Sequence, residues 1–522
     1  MPSSGRKCPA TLSDKDAAIN IVGAGVFGLS TAIHLAQRGY RNITLFDKQP
    51  YEQSRYSYFK GCDAASADTN KIFRSAYGAQ TEYQDLSIEA TTAWKQWNAE
   101  IAAGNVPAGM SRTDAVFLNH GHLSLTDQPT LPPFEAATVR NMNAAAGQAD
   151  SQLITHDPTH VQLAHEKGFG HAIDPFGGRQ RRGQPYLGVL DTTGGTVLAD
   201  KACCFALHKA KFLGVRTVFG PESGALDSFI YSSTSKSAST SAPTSPSTSP
   251  SSPHTDTDTV VGIRTRDGKS HLSEVVIMAC GGWTPSLLPE LDSVCEATAG
   301  SVVLMKLPPD LARRYSPDNF PSWMYKMRDG AEGGLYGFAA TDDGYMKIGY
   351  RGTKYTNPQV QADGRERSIP VTRYTEHQQI KDSVPAQALS VIKKFIAEFL
   401  PDLPAHGVDI DMTRLCWYTD SWDNHFVIDH VPGPGHRGVF VATAGSGHAF
   451  KYLPNIGAWV ADILEGKGLD RQLVKSWRWR TRPNSQDQVV NQLMQGSSGP
   501  RALKRASMST AQQLKLGPSP NL

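Results

Sequence analysis

No two cysteines in this chain are spaced as CxxC. The seven present, at 8, 62, 203, 204, 280, 295 and 416, are odd in number and lack zinc-type spacing. That argues against a disulfide framework and a structural metal, and for a reducing compartment. Nor is there a sustained Lys/Arg stripe, and the formal net charge is only +3, so no nucleic-acid partner is expected. The N-terminus MPSSGRKCPATLSDKD lacks the apolar core of a signal peptide, and the chain ends in SPNL rather than SKL. The expected location is intracellular, cytoplasmic or peroxisomal. One run, residues 17–36, is apolar enough for a membrane span. Its glycines stand where a strand turns into a helix, so it reads as buried strand–turn–helix and no membrane partner is expected. No internal repeat is visible.

What is present is an ordinary globular mixture over 522 residues, 39% hydrophobic and 19% charged. Chains beyond roughly 250–300 residues split into domains, so two are expected. Residues 18–22 read as a buried strand, followed by a helix to about Gln37 and a second strand, NITLFD, ending at Asp47. This is one βαβ unit. Residues 83–101 read as a helix and 117–125 as a strand, whereas 129–185 are poorly patterned. Residues 232–258 are almost pure Ser, Thr, Pro and Asp and cannot bury enough apolar surface to order themselves. They read as an overgrown, disordered hairpin loop between TVFG and TVVGIRT. Further strands are expected at 273–279, 301–306, 334–350 and 438–444, with helices over 386–400 and PNIGAWVADILEG. After about Arg482 the chain is Gln/Ser-rich and reads as a mobile tail.

Gly23-Ala24-Gly25-Val26-Phe27-Gly28 is GxGxxG in its proper place, after a buried strand and at the start of a helix. Gly23 permits the turn, Gly25 lets backbone approach a pyrophosphate, and Gly28 lets helix and strand pack closely. The helix N-terminus offers free N–H groups to phosphates. Asp47, followed by Lys48, closes the second strand where a carboxylate meets ribose hydroxyls. The motif alone leaves FAD and NAD open. Its position near the N-terminus of a two-domain chain without a second GxGxxG favours FAD. Ala279-Cys280-Gly281-Gly282-Trp283-Thr284 is the other late strand ending in glycines that could approach the same cofactor.

Five segments in order carry a resemblance. They are GAGVFG with Asp47; Ala67-Asp68-Thr69-Asn70-Lys71-Ile72-Phe73-Arg74; Tyr345-Met346-Lys347-Ile348-Gly349-Tyr350; Arg414-Leu415-Cys416-Trp417-Tyr418-Thr419-Asp420 with Asn424-His425-Phe426; and Gly445-Ser446-Gly447-His448-Ala449-Phe450-Lys451. The chain resembles the sarcosine oxidase, fructosyl amino acid oxidase (amadoriase) and saccharopine/pipecolate oxidase branch of the D-amino-acid-oxidase-like flavoproteins. The resemblance runs from about 18 to 466.

It implies an α/β fold: a Rossmann-like FAD-binding domain from segments 16–78, 186–300 and 412–482, and an α+β substrate domain with a mixed or antiparallel sheet from 79–185 and 301–411. Residues 483–522 are left as a flexible tail. It implies FAD attached through the Cys416 sulfur, a thiolate being a good nucleophile toward an electrophilic flavin methyl. It places Lys347 beside flavin N5, where a cation stabilises the superoxide formed as oxygen takes up an electron. It places Arg74 and Lys451 on the substrate carboxylate, the Arg fork matching it bidentately. Tyr418 forms pocket wall near the amine, Asn70 and Lys71 lie over the flavin, and Gly445, Gly447 and His448 leave room for the ring. Neither His425 nor His448 receives a catalytic role.

One departure concerns Arg351, where sarcosine oxidases carry a His of the substrate pocket. An Arg there implies a second acidic or polar group on the substrate. The implied chemistry is oxidation of a secondary amine to an imine, with dioxygen reduced to hydrogen peroxide by a monomer. An imine made for ring closure in secondary metabolism, a dehydrogenase using another acceptor, and an NADPH-dependent monooxygenase remain open alternatives at this point.

Overall fold

The computed structural model describes residues 11–183, 186–232, 259–326, 334–371, 383–433, 435–485 and 489–517. Its first layer is a six-stranded sheet in the order Val427–His430, Val439–Thr443, Val275–Met278, Ala18–Val22, Asn42–Asp47, Arg216–Phe219. All neighbours are parallel except the first pair. Parallel strands are covered on both faces, which is why AINIV, VVIM and VFVAT are apolar almost throughout. Helix Val26–Gln37 follows the first strand, and helix Ile456–Leu464 packs beside it. The expected elements over 18–47 stand as read.

The second layer is an eight-stranded sheet in the order Met412–Ser421, Cys295–Lys306, Tyr345–Tyr355, Leu335–Gly337, Ser322–Lys326, His122–Thr126, Gly188–Asp191, Gln152–Ile154. It is antiparallel apart from the Ser322–Lys326/His122–Thr126 pair. Helix Ala386–Phe399 covers one face through Leu389, Ile392, Phe395 and Phe399, and the Phe395 ring stacks on Trp323 at 4.3 Å between centroids. Burying those rings drives the docking of this helix. A small sheet of Lys71–Phe73, Gly195–Val197 and Phe117–Leu118 stands apart from both. The fold is α/β with an α+β substrate domain, as the motifs imply. Among the described residues no helix is long and apolar enough to cross a membrane.

Five readings are corrected. Strand Met412–Ser421, assigned to the FAD-binding segment 412–482, lies in the eight-stranded sheet against Cys295–Lys306, and the boundary at 300 cuts that partner strand. Gly188–Asp191, within segment 186–300, also belongs to the eight-stranded sheet. Residues 117–125 form two strands in different sheets, broken at Gly121 with φ +87°. TVVGIRT pairs with Leu226–Ser232 and not with TVF, which is the edge of the parallel sheet. The Ser/Thr/Pro stretch itself lies outside the described residues from 233 to 258. Finally, residues 489–517 are packed rather than loose: Leu493, Ala502 and Leu503 are buried, and the segment bridges to Thr356 and Pro385.

Candidate active site

Strand Ala18–Val22 ends in a turn that leaves no room for side chains. Gly23 sits at φ +106°, and a Cβ on it would lie 2.3 Å from the Ala279 carbonyl oxygen. A Cβ on Gly28 would lie 1.8 Å from the Gly23 oxygen, so this glycine lets helix meet strand. The turn is braced by Asp47. Its carboxylate accepts from the Ala24 N–H at 2.7 Å and the Gln49 N–H at 2.8 Å. Two oxygens offer about four lone-pair sites, so capacity remains for ribose hydroxyls. Burial pushes the Asp47 carboxyl up to about 6. Lys48 lies 3.5 Å above the Trp283 ring, closing this end of the cleft.

From this turn a cavity of about 520 Å³ runs between the two layers. Gly23, Gly25, Val26, Phe27, Asp47 and Lys48 line one end. Lys71, Arg74, Lys347, Arg351, Cys416, Tyr418, Gly445, Gly447, His448 and Lys451 line the other. Residues from five sequence segments thus meet in one space of ligand-binding size. Ala24, Gly28 and Asn70 stand behind the wall instead: Ala24 and Gly28 brace the turn, and the Asn70 carbonyl accepts from Lys347 Nζ at 2.5 Å.

Lys347 is 2% exposed within strand Tyr345–Tyr355. Its ammonium meets Asp68 Oδ1 at 3.0 Å and lies 4.4 Å over the Phe338 ring. Asp68 also binds Lys71 at 2.7 Å and Arg414 at 3.4 Å. Burial alone raises a carboxyl, yet three cations together hold Asp68 well below the usual carboxylate range. Burial outweighs Asp68 at Lys347 and lowers that amine to about 8. Asp68 and Arg414 were present in the recognised segments but carried no assigned role. Apart from the Asp68–Lys71 pair, their partners are remote in sequence and leave no local signal. Cys416 Sγ lies 3.9 Å from Lys71 Nζ.

Across the cavity, Lys451 Nζ donates to the Arg74 carbonyl at 2.9 Å, and both cations lie over the Tyr77 ring. Among the described residues neither side chain has a carboxylate partner. Burial, then Arg74, drives the Lys451 amine well below its ordinary value. His448 Nε2 meets the Asn424 carbonyl and Nδ1 meets the Tyr77 hydroxyl, each at 3.0 Å. A carbonyl only accepts, so Nε2 carries the proton and Nδ1 accepts from Tyr77. Burial lowers this ring to about 3, leaving it neutral and structural. Arg351 Nε donates to the Tyr418 hydroxyl at 3.1 Å, its guanidinium covers Gly447, and burial pushes the Tyr418 phenol up to about 12.

These residues fit FAD. The glycine turn leaves backbone open at one end, Asp47 has free acceptor sites, and at the other end Cys416, Gly445 and Gly447 line the same cavity.

Comparison with known proteins agrees. The chain is 28% identical to the L-saccharopine oxidase of Schizosaccharomyces pombe over 467 residues, covering 88% of this chain and 93% of that one. It is 25% identical to the N-methyl-L-tryptophan oxidase of Salmonella enteritidis over 451 residues, covering 86% and 94%. Its fold matches the fructosyl peptide oxidase from E. terrenum with a TM-score of 0.71 at 22% identity, over 96% of this chain and 100% of that one. Residues 19–463 match the family described as DAO, FAD dependent oxidoreductase, and the chain belongs to that family.

Proposed function

We propose that this enzyme oxidises the C–N bond of a secondary amine carrying a carboxylate, an N-substituted amino acid, and passes the electrons to dioxygen. The amine R₂CH–NH–R′ and O₂ give the imine R₂C=N–R′ and H₂O₂, and water then hydrolyses the imine. The observation that carries this reading is the charge arrangement. Two basic groups, Arg74 and Lys451, which have no carboxylate partner among the described residues, face one cavity whose other wall holds the Lys347–Asp68 pair. FAD, when bound, supplies the two-electron acceptor for the amine and the donor to oxygen.

The chain's own residues do the rest. Arg74 and Lys451 seat the carboxylate, and its negative charge raises the depressed Lys451 amine so that ammonium and carboxylate assemble together. Tyr418 walls the amine. His448, a very weak base with both ring nitrogens hydrogen-bonded, takes no proton from the amine, which arrives already unprotonated. Lys347 places a positive charge where oxygen takes up electrons. An oxygen electrode with L-saccharopine, N-methyl-L-tryptophan, L-pipecolate and sarcosine tests the reading: one of these is expected to consume oxygen and release peroxide. Anaerobic bleaching by the amine without oxygen uptake would point to a dehydrogenase, and a need for NADPH to a monooxygenase.

Arg351 deepens the substrate assignment. Among the described residues its guanidinium has neutral partners only, Tyr418 and the Gly447 carbonyl. A guanidinium with no hydrogen-bonded anion among the described residues leaves strong donors for a ligand anion. A second carboxylate on the nitrogen substituent, as in saccharopine, fits it. Arg351→Met is expected to lower kcat/KM for L-saccharopine by about tenfold or more, and for sarcosine hardly at all. A wild-type enzyme that prefers sarcosine sinks this assignment.

The covalent link is the other part of the proposal. Cys416 lines the cavity, with its Sγ 3.9 Å from Lys71 Nζ. Acid-precipitated wild-type protein should stay yellow, and Cys416→Ser should release its colour to the supernatant. Colourless wild-type precipitate removes the link and leaves the remainder intact.

A further inference from the structure

The family match ends at residue 463, yet chain beyond it reaches the cavity wall. The backbone N–H groups of Val490 and Asn491 donate to the Trp422 carbonyl at 2.9 and 3.0 Å. The Asn491 amide then donates to the Ser421 carbonyl and to Asn424 Oδ1, both at 2.7 Å, and accepts from Lys354 Nζ at 3.0 Å. Two of its partners, the donor Lys354 and the acceptor Asn424, connect it to the site. Lys354 lines the cavity and pairs at 3.1 Å with Asp420, a fully buried carboxylate that also accepts from Thr298 at 2.6 Å. Asn424, in the left-handed region at φ +65°, presents the carbonyl that holds His448. Farther along, Glu296 accepts from the Met494 N–H and from Arg501, each at 3.2 Å, and Leu503 is buried. The segment is therefore anchored independently of Asn491.

We infer that Asn491 is a positioning residue of the substrate pocket: it keeps Lys354 on Asp420 and fixes the Ser421–Asn424 turn behind His448. An ammonium on a four-carbon stem has three donors and wide reach, and one carboxylate does not satisfy it. An amide is the one neutral side chain type that accepts from Lys354 while donating to two oxygens of the turn. With Asn491 in place, Lys354 stays with the protein's own anion and Arg351 alone meets the far end of a ligand. This rests on the cavity being the substrate pocket, but its decisive measurement does not need turnover.

The FAD-loaded full chain is treated with acetic anhydride, and acetylation of Lys354 is timed by mass spectrometry. Asn491→Ala is expected to speed it by about fivefold or more, and Asn491→Ser, too short to reach Lys354, should act alike if the first variant folds poorly. With whichever of L-saccharopine and N-methyl-L-tryptophan is oxidised, Asn491→Ala should raise KM by about fivefold with kcat little changed, and the effect should vanish in a Lys354→Met background. Labelling of Lys354 at the wild-type rate in both variants overturns the inference, as does a KM effect of equal size in both backgrounds. If none of the four amines is oxidised the proposed function fails, and the labelling rates still decide the role of Asn491.

Discussion

Lys347→Met should slow reoxidation by air by about 10²–10³-fold while leaving anaerobic reduction by the amine within severalfold. The asymmetry follows from where the charge sits. Lys347 is 2% exposed, held by Asp68 at 3.0 Å and the Asn70 carbonyl at 2.5 Å, so its ammonium is fixed before any anion forms. In a poorly solvated wall a fixed cation acts strongly on charge developing on oxygen, and pays no reorganisation at that moment. In the proposed function the substrate carboxylate is seated elsewhere in the cavity, by Arg74 and Lys451, so amine oxidation has little to lose. Met matches the volume without the charge. Stopped-flow mixing of the anaerobically reduced enzyme with oxygenated buffer separates the two halves. The pH dependence has a defined sign. The amine titrates at about 8, lowered chiefly by burial, and only its protonated form is useful. The wild-type oxygen step should be full below that value and fall as pH rises through it, and the Met variant should lose this inflection. Unchanged reoxidation in the variant removes Lys347 from the oxygen step.

Much of the frame was legible because its determinants are local. The βαβ unit over 18–47 shows itself in a five-residue apolar run, a glycine turn whose Cβ positions are all taken, and an acid at the next strand end. Helix Ala386–Phe399 shows itself in one apolar stripe. Sheet membership was not local. Met412–Ser421 is apolar at positions that suit either layer, and its partner Cys295–Lys306 lies more than a hundred residues earlier. The tail misled for a related reason. Leu493 and Leu503 are isolated apolar residues in polar surroundings, and only tertiary packing shows that they are anchors. At the site, the motifs named most of the residues that line the cavity, whereas Asp68 and Arg414 were passed over. Asp68 and Arg414 stood inside quoted segments, but a charge is read as structural or functional only once its counter-charge is known, and Lys347, Lys71 and Arg414 come from three separate strands.

Asp68→Asn tests that hub, and its expected effects are large on both stability and chemistry. One carboxylate, 5% exposed, neutralises Lys347, Lys71 and Arg414 in part. Arg414 is itself 2% exposed, and its other hydrogen bond is to the Ala64 carbonyl at 2.8 Å. Removing the anion leaves buried cations facing one another, and losing one partner of a buried pair costs about 3–5 kcal/mol. The sign with pH is fixed by the depressed carboxyl. Its contribution is present at every pH above the unfolded value of about 3.9 and is lost only as pH falls through the lower folded value. Protonation of Asp68 itself therefore adds no pH dependence from 5 to 8, but because Lys347 sheds its proton earlier in the variant, the stability difference in urea unfolding should be largest near pH 5 and narrow as pH rises toward 8. The chemical effect runs the other way along the pH axis. Asp68 is the charge that raises the Lys347 amine against burial, while Lys71 lowers it. An opposite charge at this distance is worth about one to three pKa units, so the inflection in the oxygen step should move down by that much. A folded Asp68→Asn enzyme would then react with oxygen well at pH 6 and poorly at pH 8, where the wild type still works. An inflection that stays near 8 means that Asp68 holds the wall together without setting the charge on Lys347.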